Sequence, residues 1–116
     1  MLYARLLLCR STALQGRETT MYFVIWNIHS AGTEQARRDR SDAMKAYLHN
    51  HSRVTLHHGG ATLDDNAEAV VGGLMIIEAP SLEVARSFVA DSPFGQAGIF
   101  EQSHVQPWNW LTGSPS

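Results

Sequence analysis

The chain has 116 residues, 44% of them hydrophobic and 17% charged, with a net charge of −2. That length suits one domain with a real core, and nine basic against eleven acidic residues exclude the basic footprint that a nucleic acid or an anionic membrane surface needs. No apolar run approaches the ~18 residues of a membrane span, and Cys9, the single cysteine, excludes an internal disulfide and the multi-thiolate zinc patterns, which fits a reducing, cytoplasmic setting.

Residues 1–20 differ in style from the rest. They carry Arg5, Arg10 and Arg17 with no acid before Glu18, and read as an extension upstream of a natural start at Met21 or as an organelle transit segment. From Met21 the composition turns β-branched and aromatic, and Tyr22 to Ile28 predicts a central strand that is apolar on both faces. Thr33 is placed to cap a helix by accepting a bond from an early backbone N–H, with Glu34 against the positive end of the helix dipole. That helix is expected to reach about His51, with Ala36, Arg40, Ala43, Tyr47 and His51, and Met44 and Leu48 beside them, on its packing face.

A second strand over Arg53 to His58 ends at Gly59-Gly60, and a polar loop through Asp64-Asp65-Asn66 leads to a third strand that contains Gly72-Gly73 and runs to about Glu78. Glycines inside a strand suggest a bulge or a close approach by another backbone or a ligand. Ser81 caps a second helix whose buried stripe is Leu82, Ala85, Phe88 and Val89, and Asp91-Ser92-Pro93 stops it. The last strand spans Gly98 to about Pro107, and residues 112–116 form a polar tail behind a domain at 21–111.

The order is β-α-β-β-α-β, which predicts an α+β, ferredoxin-like fold with a four-stranded antiparallel sheet and both helices on one face. The opposite face, apolar along the first strand, then needs a cover, and a symmetric homodimer supplies one.

The opening strand MYFVIWNI, the helix segment RSDAMKAYL ahead of HHGG, Gly72-Gly73 before LMIIEAPSLEVAR, and above all ADSPFGQAGIFEQSHVQPW resemble the YCII-related family of small dimeric α+β barrel proteins. The resemblance covers Met21 to about Trp110. It implies a small-molecule enzyme with a cleft near the dimer interface and a dyad of a helix His and an acid. One such relative removes chloride from a chlorinated hydroxyquinol. On this sequence the helix His falls at Ala43 or Met44 and the acid at Ser92, one position after Asp91, so both halves of the dyad are altered; the family's Arg matches Arg40.

The replacement chemistry is sought among the six histidines. His49 and His51, two apart on a helix, diverge by about 200° and cannot share a metal, and no other ligand spacing predicts one. His57 and His58, adjacent on a strand, are expected to point to opposite faces, which leaves one of them inward as a core histidine or as a proton-transferring base. Arg40 either runs its stem along Tyr47 into water or reaches the cleft to bind an anionic substrate. Asp91 and Ser92 would orient substrate or water, and Phe94 lies near the strand edge as a substrate contact. The chain then reads as a lyase or isomerase that needs no cofactor and moves a proton on an anionic or phenolic metabolite, or as a non-catalytic binding module on the same scaffold.

Overall fold

The computed structural model describes residues 19–114. Its elements are β1 (Met21–His29), α1 (Glu34–Asn50), β2 (Thr55–Leu63), β3 (Val70–Ala79), α2 (Leu82–Ala90), α3 (Pro93–Gln96) and β4 (Phe100–Trp108). The four strands form one sheet in the order β2-β3-β1-β4, with every neighbouring pair antiparallel. This is the expected ferredoxin-like α+β arrangement.

Side chains on β1 alternate, and the alternation sorts the sheet's two faces. Phe23, Ile25 and Asn27 are buried beneath the helices, in register with Ile77, Met75 and Gly73 of β3. Ala85, Phe88 and Val89 of α2 complete the core against them. Between the helices Tyr47 stacks on Phe88 at 5.2 Å and its hydroxyl donates to the Phe88 carbonyl at 2.8 Å. On the other face lie Tyr22, Val24 and Trp26, opposite Glu78, Ile76 and Leu74. Trp26 and Leu74 are 45% and 42% exposed there, so the face away from the helices carries bulky apolar side chains without a cover in the single chain.

Several local expectations are corrected. β2 does not end at Gly59-Gly60 but continues to Leu63, because β3 offers Met75, Leu74 and Gly73 as ladder partners for Gly59, Gly60 and Ala61. The polar loop after it is a compact turn in which Asp64 Oδ1 accepts the Glu68 N–H at 2.9 Å and Asp64 N donates to the Ala69 carbonyl at 2.9 Å. Ser81 caps α2 as predicted, its Oγ accepting from Val84 N at 3.1 Å. Thr33 does not cap α1 through its side chain: its hydroxyl donates to the Ser30 carbonyl at 2.7 Å and accepts from the Arg37 guanidinium at 2.9 Å. Beyond α2, Asp91-Ser92-Pro93 is a stop and also a start, since Ser92 caps the short helix α3.

The packing face of α1 keeps Met44, Tyr47 and Leu48 of the predicted one and loses Arg40 and Ala43. Arg37, Ser41, Met44 and Leu48, at three- and four-residue steps, face the sheet, whereas Arg40 and Ala43 are exposed. Met44 is the one residue of α1 that is buried, so the stripe is faintly marked and alanines on neighbouring faces obscure it.

Candidate active site cleft

Between α1 and the helix-bearing face of the sheet runs a cleft of about 710 Å³. Its floor follows from one cross-strand row: Asn27 of β1 pairs with Gly73 of β3, which pairs with Ala61 of β2. Two of those three positions bring little or no side chain, so space opens above them where a larger residue would fill it. Met44, Leu48, Leu56 and Met75 make the walls apolar. Gly72 serves a different need, since a Cβ there would stand 2.1 Å from the Asn27 carbonyl oxygen. The expected close approach of another backbone is therefore real, and it is β1 that approaches.

At the end of β1 the pairing with β4 slips between Ile28 and His29, so that His29 lies opposite Phe100. The extra residue is Glu101 on β4, so β1 keeps its alternation and His29 follows Asn27 onto the cleft face. Its ring stacks on Phe100 at 6.1 Å and meets Phe94 edge-on at 6.2 Å. His29 Nδ1 and Asn27 Oδ1 are both buried and have no hydrogen-bond partner. Asn27 is 4% exposed, so its orphaned acceptor faces the cleft at an energetic cost of ~1–3 kcal/mol unless something donates to it. Burial, and then the nearby Arg37 charge, hold the His29 pKa below its ordinary value. The imidazole is thus neutral near pH 7 and able to accept a proton.

The cleft is also electrically distinct from the rest of the chain. Arg37, Arg38 and Lys45 line it with Glu34 as the single acid, whereas the sequence from residue 21 onward has six basic and ten acidic residues. Half of the domain's basic side chains gather where one acid does.

The sequence-derived candidates distribute unevenly around this cleft. Phe94 lines it, while His57 and His58 border it from β2 with their imidazoles turned to the sheet face away from the helices, where Tyr22 and Glu78 lie. The two histidines do not alternate as expected, because the β2–β3 register shifts between Leu56 and His58. His57 Nε2 lies 2.9 Å from Glu78 Oε1 and its ring meets Tyr22 at 5.4 Å, while His58 meets Trp110 at 5.6 Å. Tyr22 and Trp110 are themselves 5.7 Å apart, so both imidazoles reach one aromatic corner. The Glu78 carboxyl is held below its usual range by bonds from the Thr20 hydroxyl and His57.

The other candidates lie off the cleft. Arg40 is exposed on the outer side of α1. Tyr47 is engaged with Phe88, and burial together with the Asp91 charge raises its pKa, so its hydroxyl stays protonated as a structural donor. Asp91 is exposed and closes α2. Ser92 is 1% exposed, with its hydroxyl donating to the Val89 carbonyl at 2.7 Å and accepting from Gly95 N at 3.0 Å. Its hydrogen-bonding capacity is spent on the α2–α3 junction. Of the two helix positions considered for the family's His, Met44 faces the cleft and Ala43 does not. Among the described residues no group of three or more His, Cys, Asp or Glu side chains converges to hold a metal ion, and no helix is long and apolar enough to cross a membrane.

Sequence reasoning passed over His29, Asn27 and Arg37. A signal was present: Asn27 and His29 continue the two-residue alternation of Phe23 and Ile25, placing polar side chains on a buried face.

The profile of the YCII-related domain matches residues 21–109. The chain belongs to the YCII-related family. Among solved structures, this YCII-related chain is similar to a 5-chloro-2-hydroxyhydroquinone dehydrochlorinase (TftG) from Burkholderia phenoliruptrix AC1100, in complex with 2,5-dihydroxybenzoquinone. The two share 32% identity and a TM-score of 0.66, over 77% of this chain and 94% of that one. A NIPSNAP family protein from Agrobacterium tumefaciens str. C58 is more distant, with 17% identity and a TM-score of 0.43 over 87% of this chain and 94% of the other, a likeness too slight to add to the assignment. No curated protein sequence matches the chain at a significant level.

Proposed function

We propose that this YCII-related protein is a small-molecule lyase or isomerase that transfers a proton on a phenolic or anionic metabolite in the α1–sheet cleft. The observation that carries this reading is His29, a neutral imidazole on the cleft floor with a buried, unpartnered Nδ1. It supplies the base that the altered helix position, Met44 or Ala43, lacks. In a dehydrohalogenation the ring would first pass to its keto tautomer, a hydroxyl proton moving to the halogen-bearing carbon. His29 would then take the proton of a second ring hydroxyl, its O–H pair would form the new carbonyl, the ring double bond would shift toward the halogen-bearing carbon, and halide would leave with its bonding pair. The dehydrochlorinase likeness supports that reaction class. Asn27, 4% exposed, would hold the substrate hydroxyl in place.

The second reading, a binding module without turnover, draws on Ser92, which stands at the family's acid position and is committed to the backbone. The working unit is proposed to be a homodimer closed over the open sheet face, where Trp26 and Leu74 are exposed.

The test is turnover of chlorinated and hydroxylated hydroquinones, read as chloride release. His29→Gln is expected to lower kcat/KM by ~10²–10⁴-fold, the usual contribution of a positioned base. The wild-type kcat/KM should rise with pH and level off, with its midpoint below the ~6.5 of an ordinary imidazole. Full activity in His29→Gln would remove His29 from the chemistry, and no turnover by the wild type across the panel would favour the binding module.

A further inference from the structure

We infer that the cleft selects a planar aromatic acid carrying a ring hydroxyl, of the hydroxyarene carboxylate class. This deepens the proposed function and rests on the cleft being its site. Three independent features of the cleft each ask for one part of such a molecule.

The first is an unpaired acceptor. Asn27 Oδ1, buried and without a partner, asks for a donor, and the ligand group that supplies one is an O–H or N–H. The second is shape. Phe94, Phe100 and the His29 ring lie 6.1–6.2 Å from one another, and Met44 and Met75 extend the apolar lining, so the surface favours a flat, apolar body. The third is charge. Arg37 is close enough to His29 for its charge to act on the imidazole, and with Arg38 and Lys45 it makes this cleft cationic in an otherwise acidic domain.

Arg37 is held by its bond to Thr33, which leaves its planar fork further N–H donors for a carboxylate. A phenol alone satisfies Asn27 and leaves three cations facing the single acid Glu34. A carboxylate alone satisfies Arg37 and leaves Asn27 orphaned.

Binding of such an acid would also act on His29. The ligand's anion offsets the Arg37 charge that opposes imidazolium formation, so an occupied cleft raises the basicity of His29 at the moment a proton has to be taken.

The experiment titrates the full-length protein with 4-hydroxybenzoate, 4-hydroxybenzamide, benzoate and phenol by calorimetry, and follows the His29 imidazole by NMR over pH. 4-Hydroxybenzoate is expected to bind at least ~10-fold more tightly than the isosteric amide, benzoate or phenol, and to raise the His29 pKa. Arg37→Gln should abolish the preference for acid over amide, and Asn27→Leu the preference for hydroxylated over unsubstituted acid, with circular dichroism confirming the fold. Equal affinity for acid and amide on the wild-type protein overturns the inference regardless of how the variants fold. Turnover of neutral phenols that depends on His29, without carboxylate binding, would sink this inference and leave the proposed reaction standing. Carboxylate binding with these dependences but no turnover of any phenol would do the reverse.

Discussion

Ser92→Ala separates a structural serine from a chemical one. In the wild type its hydroxyl donates to the Val89 carbonyl and accepts from Gly95 N, at 2.7 and 3.0 Å, inside a junction where the residue is 1% exposed. Alanine deletes both bonds at once. Loss of the N-cap bond from Gly95 N costs ~1 kcal/mol, and loss of the hydroxyl's bond to the Val89 carbonyl adds about as much, for a total near ~2 kcal/mol. A small domain loses ~4–8 °C of Tm per kcal/mol, which puts the shift at about 8–16 °C. A thermal melt by circular dichroism measures it, and turnover of the same preparation at 20 °C below the new midpoint should stay within about 3-fold of wild type, since Ser92 lies off the cleft. The reasoning fails if Tm moves by less than about 2 °C while kcat falls ~100-fold, because the hydroxyl would then matter to the reaction and not to the junction.

Gly72→Ala should destabilise by ~1–3 kcal/mol, because its Cβ meets the Asn27 carbonyl oxygen at 2.1 Å, whereas Gly60→Ala, with nothing within 4 Å, should leave Tm nearly unchanged. Light scattering should find a dimer at micromolar concentration and a monomer for Trp26→Glu; a monomeric wild type would refute the cover assigned to the open sheet face. Glu78, its pKa lowered by its bonds to Thr20 and His57, contributes stability that is present above the ordinary glutamate pKa of ~4.3 and lost as pH falls through its folded value. Denaturant titrations over that acid window should show wild type losing stability faster than Glu78→Gln, and parallel curves would remove the carboxylate from the acid response.

The architecture was legible because strand alternation and helix caps are local signals. β1, as a central strand apolar on both faces, and α2, with Ser81 ahead of Ala85, Phe88 and Val89, both follow directly from composition and spacing. Where the reading slipped, a partner strand or an irregularity decided the outcome. The shift in β2 at His57 turned two neighbours toward one corner, and ladder partners in β3 carried β2 through glycines that would otherwise end a strand. α1 misled for a different reason. With Met44 as its single buried residue it has hardly any stripe to read, so Arg40 stood out where Arg37 faces inward. His29 was readable as the fourth member of an alternating row, but an apolar run on both faces of β1 drew the eye away from the polar end of that row.

The weak anchoring of α1 has a meaning beyond pattern recognition. Seventeen residues long, this helix presents one buried side chain to the body of the molecule, while β1 and β3 between them supply six buried hydrophobic residues, Phe23, Ile25, Met75, Ile76, Ile77 and Ala79. Cooperative opening is therefore expected to be uneven, with α1, held chiefly by Met44, Tyr47 and Leu48, opening more readily than α2 and the two central strands. That helix is the cleft wall that carries Arg37, Arg38 and Lys45. Its backbone amides form a natural clock for occupancy: they should exchange their hydrogens fastest among the helices in the empty protein, and slow when a ligand ties the wall to the floor.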